Sequence, residues 1–96
     1  MLIDLRSDTV TKPTPQMKEY MFNAAIGDDV FEEDPTVVEL EKKIARLFGK
    51  EAALFCPSGT MTNQIAVRIN TEPQDEVICD RSCHIYNYEG GGAAYN

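Results

Sequence analysis

Apolar side chains recur every three or four positions in some stretches of this chain and run contiguously in others, with polar punctuation between them. Thr14-Pro15 combines an N-cap hydroxyl with a first-turn proline, and Met17, Tyr20, Met21 and Ala24 then share one helical face until Gly27 stops the element. Asp34-Pro35 repeats the device. Val37, Leu40, Ile44, Leu47 and Phe48 follow at helical spacing, and Gly49 closes that helix as a C-cap. Ala52-Ala53-Leu54-Phe55-Cys56 is an apolar run that reads as a buried strand. A helix from about Thr60 to Thr71 comes next, with Met61, Ile65 and Ile69 on one side, then a turn at Pro73-Gln74-Asp75 and a second buried strand at Val77-Ile78-Cys79. Two apolar strands joined by a helix, over about residues 52–80, predict a βαβ unit, hence an α/β fold with a parallel sheet. Ligands of such sheets bind beyond the carboxyl ends of the strands. Both Pro57-Ser58-Gly59-Thr60 and Ser82-Cys83-His84 follow strand ends, so these two segments are expected to be neighbours.

The Pro-Ser-Gly-Thr junction has the makings of an anion site. Gly59 lets backbone approach a ligand closely, the following helix presents unpaired N–H groups, and the hydroxyls of Ser58 and Thr60 add donors without adding charge. A phosphate is the expected guest. By itself the same turn also reads as a polar helix cap.

Composition narrows the class. Ninety-six residues, 43% hydrophobic, allow one modest core. Nine basic against sixteen acidic residues give a net charge of −7, which argues against nucleic acid as a partner and requires any anion to be held by local geometry. No apolar run approaches the roughly eighteen residues of a membrane span. Met1-Leu2-Ile3 followed by Asp4 has neither the basic start nor the long apolar stretch of a secretion signal, and a cytoplasmic location is expected. Three cysteines, an odd number, argue for reduced thiols. Zinc is not expected, because the chain has no Cys-x-x-Cys pair and no second histidine beside His84.

Several segments together carry a family resemblance. Ile3-Asp4-Leu5-Arg6-Ser7-Asp8-Thr9-Val10-Thr11-Lys12-Pro13-Thr14, Gly27-Asp28-Asp29-Val30, Glu33-Asp34-Pro35-Thr36, Phe48-Gly49-Lys50-Glu51-Ala52-Ala53-Leu54-Phe55, Pro57-Ser58-Gly59-Thr60-Met61 and His84-Ile85-Tyr86 closely resemble the amino-terminal part of L-threonine aldolases of the low-specificity type. The match runs in order and with the family's spacing over essentially the whole chain. It implies the aspartate-aminotransferase-like fold of pyridoxal-phosphate enzymes (fold type I), with a three-layer αβα cofactor domain. Residues 1–14 would be an amino-terminal arm and residues 15–96 the helices and first strands of that domain. It also implies pyridoxal 5'-phosphate as cofactor, a small amino acid as substrate, and a homodimer or homotetramer with an active site shared between subunits.

The resemblance assigns roles residue by residue. The cofactor phosphate would sit on Ser58, Gly59 and Thr60. His84 would stack on the cofactor ring and act as acid or base toward the substrate hydroxyl, a task suited to a flat imidazole that titrates near neutrality. Ser7 would help hold the substrate carboxylate. Arg6 and Asp8 read instead as an exposed or interface ion pair. In one place the chain departs from the family, which commonly has Tyr-Gly where Phe31-Glu32 stands here. A phenol hydrogen bond is therefore lost there.

The implied reaction is retro-aldol cleavage of L-threonine or L-allo-threonine to glycine and acetaldehyde. In the family the lysine that binds the cofactor lies downstream of any residue present here, as do the aspartate that pairs with the pyridine nitrogen and the arginines that clamp the substrate. The chain is therefore expected to be an amino-terminal piece, inactive by itself. Two alternatives stand beside the aldolase reading: another β-eliminating pyridoxal-phosphate lyase with a different amino acid substrate, and a catalytically inactive phosphate-binding fragment.

Overall fold

Local signals decide where the longer helices begin. In the computed structural model of the chain, which describes residues 3–96, Thr14 takes extended backbone, its Oγ1 accepts the Met17 N–H at 3.2 Å, and Pro15 opens helix α1 (Pro15–Asn23). Met1-Leu2, read above for signal character, lie outside the described residues. α1 ends before the glycine expected to stop it, because Ala24 is already extended (φ −63°, ψ 137°). Gly27 has a different use. A side chain there would collide with the Glu33 carbonyl, so the residue permits a close backbone approach.

Helix α2 (Pro35–Phe48) is sealed at both ends. Asp34 Oδ1 accepts the N–H groups of Thr36 and Val37, each at 3.0 Å, and Oδ2 accepts the Gly27 N–H at 3.1 Å. At the far end Gly49 adopts φ 62°, and the Lys50 N–H returns to the Ala45 carbonyl at 2.9 Å. Val37 is half-buried, and Ala45 is the one buried hydrophobic residue among the described residues. The rest of the predicted α2 stripe stays exposed, from Ile44 at 36% to Leu47 at 71%. With short 3-10 turns at Asp8–Val10 and Asp29–Phe31, these elements form one of two compact units, Met1–Ala53.

The second unit, Leu54–Asn96, holds helix α3 (Gly59–Asn70) and two single-turn helices, α4 (His84–Asn87) and α5 (Gly92–Tyr95), in mutual contact. α3 starts at Gly59, one residue ahead of the predicted Thr60, because Ser58 takes the N-cap position and accepts the Met61 N–H at 3.2 Å. The predicted turn forms around Pro73-Gln74: the Asp75 N–H donates to the Glu72 carbonyl at 3.0 Å, and Gln74 takes φ 84°.

The predicted strands are the correction. Neither 52–56 nor 77–79 joins a ladder, and no strand occurs among the described residues, so the βαβ unit over about 52–80 is present only as its helix and two irregular flanks. Leu54 is 69% exposed and Ile78 98%. Cys79, expected to be buried in a strand, is exposed, whereas Cys56 is half-buried. The physical reason is that a helix satisfies its backbone internally, whereas a strand needs a partner brought from elsewhere. An apolar pentapeptide specifies only half of that arrangement. No helix is long and apolar enough to cross a membrane among the described residues.

Candidate functional site

The start of α3 carries the three residues expected to hold an anion. Ser58 Oγ accepts from the Met61 N–H, which leaves its own hydroxyl hydrogen available, and the Ser58 carbonyl takes the Thr62 N–H at 3.2 Å. The N–H groups of Gly59 and Thr60 occupy the first turn, where an α-helix offers them no internal acceptor. Nothing lies within 4 Å of where a Gly59 Cβ would stand, and Thr60 is exposed. Two backbone donors, two hydroxyls and open space in front of them fit a phosphate group, which takes several hydrogen bonds and gains from the helix dipole.

His84 opens α4 and is tied by its Nδ1 to Glu89 Oε1 at 2.8 Å. The two side chains differ sharply in exposure: 60% for the imidazole, 0% for the carboxylate. Glu89 also accepts Asn63 Nδ2 at 2.7 Å on Oε1 and Gln64 Nε2 at 2.5 Å on Oε2. These amides, that of Asn63 foremost, hold the Glu89 carboxyl below the usual glutamate range, with the histidine adding to the effect and burial opposing it. Tyr88 lies beside the imidazole, with ring centroids 5.4 Å apart and planes tilted by 43°.

His84 is joined to α3 through a residue that sequence reasoning passed over. α3 bears Ser58–Thr60 at its start and Asn63 a turn further on, and Asn63 and His84 share one oxygen of Glu89. The available signal was a carboxylate five residues beyond the only histidine, ahead of a run of glycines. It was weak because such spacing matches no regular helical pair.

Ser7 belongs to the other unit. Its Oγ accepts the Thr9 N–H at 3.2 Å, lies 2.9 Å from Thr9 Oγ1, and caps the short turn at Asp8–Val10. Arg6 is not paired with Asp8. It grips Asp4 instead, with Nη2 2.6 Å from Oδ2, which holds the Asp4 carboxyl below its usual range. Glu32, at the position where the family commonly has glycine, takes the left-handed conformation with φ 57°. That region favours glycine, so Glu32 holds it under strain.

A cleft of 340 Å³ lies between the end of α3 and α5, lined in part by Arg68, Glu72 and Tyr95, and contains none of the expected site residues. Among the described residues no three His, Cys, Asp or Glu side chains gather as a metal set.

The start of α3 offers unpaired donors, and His84 is tied to a covered carboxylate in the same unit; comparison with known proteins gives the family. The model of the beta-eliminating lyase family matches residues 4–96, and the chain belongs to that family. Family membership implies fold type I of the pyridoxal-phosphate enzymes. Over 91 residues the chain is 54% identical to low-specificity L-threonine aldolase 1 of Arabidopsis thaliana, covering 94% of this chain and 25% of that protein. It is 50% identical over 92 residues to the low specificity L-threonine aldolase of Saccharomyces cerevisiae, covering 95% and 24%. For the Escherichia coli K12 enzyme of the same name the identity is 50% over 93 residues, with 97% and 28% covered. The chain spans about a quarter of the length of these relatives.

Proposed function

We propose that this chain supplies part of the active site of a pyridoxal-phosphate-dependent carbon–carbon lyase that cleaves L-threonine or L-allo-threonine to glycine and acetaldehyde. The observation that carries the reading is 54% identity over 91 residues to a protein named as a low-specificity L-threonine aldolase. The fit of the α3 start to a phosphate supports it independently.

When bound, pyridoxal 5'-phosphate supplies an electron sink that lets a bond to the substrate's α-carbon break heterolytically. The chain's own residues bind, orient and move a proton. Ser58 and Thr60 donate through their hydroxyls, and Gly59 and Thr60 through backbone N–H groups, to the phosphate at the start of α3. By the family resemblance the His84 imidazole would lie against the cofactor ring, and it would receive the proton of the substrate's β-hydroxyl, which starts the cleavage. Ser7 helps hold the substrate carboxylate, and for that role the support is the family resemblance alone.

The finer architecture belongs to the same reading. Residues 1–14 serve as an arm and 15–96 as part of a three-layer αβα cofactor domain, in which the exposed apolar segments 52–56 and 77–79 become strands once partners flank them. The assembly is a homodimer or homotetramer with shared active sites, in the cytoplasm. A second reading, a β-eliminating lyase for another amino acid, is favoured by Phe31-Glu32, which removes a phenol from the site surroundings.

The test is cleavage by the full-length polypeptide that carries this chain. Acetaldehyde and glycine formed from threonine in equal amounts, dependent on added cofactor, are expected. Elimination products from another amino acid without any acetaldehyde would move the assignment to the second reading.

A further inference from the structure

We propose that Glu89 is a positioning residue that fixes the tautomer and orientation of His84, so that Nδ1 keeps its proton and Nε2 is presented as the free base. This deepens the proposed function and rests on it for the role of His84.

The argument starts from donors and acceptors. An ionised carboxylate only accepts hydrogen bonds. Glu89 meets two amide donors, Asn63 Nδ2 and Gln64 Nε2, and its Oε1 then lies 2.8 Å from His84 Nδ1. With the carboxylate filled by donors and held ionised by them, the hydrogen on the Nδ1 contact has to come from the imidazole. Nε2 has no hydrogen-bond partner among the described residues, and the imidazole is 60% exposed while the carboxylate is fully covered. The buried acid therefore holds one end of the ring and leaves the other open.

The same three bonds fix where the ring sits. Asn63 and Gln64 are on α3, the helix whose first turn holds the phosphate in the proposed function, so Glu89 fastens the histidine to the element that anchors the cofactor. When Nε2 takes the proton of the substrate hydroxyl, the imidazolium keeps its Nδ1 hydrogen bond to a carboxylate, and the positive charge gains a partner already in place. Precise placement matters because proton transfer demands hydrogen-bond geometry in the reacting complex.

The experiment labels histidine with nitrogen-15 in the full-length polypeptide, assigns the His84 signals by their loss in His84→Gln, and reads the tautomer by NMR without substrate. The wild type should show a protonated Nδ1 and an unprotonated Nε2. Glu89→Gln, whose side chain can donate as well as accept, should lose that preference and lose turnover by about tenfold or more, with cofactor affinity and KM for threonine nearly unchanged. A wild type with its proton on Nε2 overturns the proposal without any variant. So does an unchanged tautomer in Glu89→Gln, or an equal loss of cofactor affinity, KM and turnover in a folded Glu89→Gln, the pattern of a purely structural residue. The tautomer is read without catalysis, so it decides the role of Glu89 even if threonine proves not to be the substrate.

Discussion

Helix α2 and the pair α4 and α5 represent two ways of holding a helix. α2 has fourteen residues, an aspartate cap accepting from two of its own N–H groups, a first-turn proline and a left-handed glycine at its end. α4 and α5 have four residues each, no side-chain cap bond at either start, and partners drawn from far along the sequence. Asn63 and Gln64 reach Glu89 across 26 and 25 positions, and Asn96 Nδ2 reaches Gln64 Oε1 at 2.6 Å across 32. Four residues cannot repay helix nucleation from their own backbone bonds. Local chemistry thus builds the scaffold helix, whereas non-local polar bonds build the segment that bears the histidine.

The carboxylates show the same contrast. Asp34 is held below its usual range by backbone N–H groups, that of Val37 foremost and then Gly27, and Glu89 chiefly by the side-chain amide of Asn63. One is set by neighbours in sequence and the other by tertiary placement.

Substitutions at four positions test this contrast, all in the full-length polypeptide. The largest effect is expected at His84. His84→Asn removes the ring and His84→Phe keeps a flat ring without nitrogens, so Asn should lose turnover by roughly 10²- to 10⁴-fold, and Phe should lose part of it while retaining the cofactor. Full activity in both variants would take the non-local segment out of the chemistry altogether.

Gly59→Val comes next. Nothing lies within 4 Å of the position where a Cβ would be added, so the fold should tolerate the change. The phosphate would meet the new side chain, and cofactor affinity by absorbance titration should fall about tenfold or more. Unchanged affinity would place the anion elsewhere; a collapse in thermal stability would mean that the open space is filled by structure.

Asp34→Ala should lower the unfolding temperature by several degrees, because three backbone N–H groups lose their acceptor. A carboxyl whose folded pKa is depressed contributes stability above its unfolded pKa and loses it as pH falls through the folded value. The gap between wild type and variant should therefore be widest near neutrality and shrink as the pH drops below 3.8, the usual aspartate value. A gap that does not change with pH would show that the cap works without its charge.

The smallest effect is expected at Glu32→Gly. Relief of the left-handed strain at φ 57° is partly offset by the greater freedom of glycine in the unfolded chain, leaving a gain of up to about 1 kcal/mol in thermal unfolding. A loss of stability would mean that the Glu32 side chain makes a compensating contact.

Both caps of α2, the Thr14-Pro15 start of α1 and the turn at Pro73-Gln74 were legible in the sequence, since each depends on residues within a few positions of one another. The donors at the start of α3 were legible for the same reason: they are consecutive. The end of α1 was misjudged because Gly27 serves a close approach to Glu33, which lies six positions on and gives no helix signal. Arg6 was matched with Asp8 when its partner was Asp4, since two acids equally near in sequence differ only in backbone direction.

Residue types and spacing by themselves determined the helix boundaries set by caps, the donors at the α3 start and the family. Tertiary structure alone decided that Glu89 is covered and that His84 reaches it through Nδ1. The physical division is the range of the interaction. A cap or a helical turn closes within a few residues, so its energy is written in neighbouring letters, whereas ladders and buried acids need groups from distant parts of the chain.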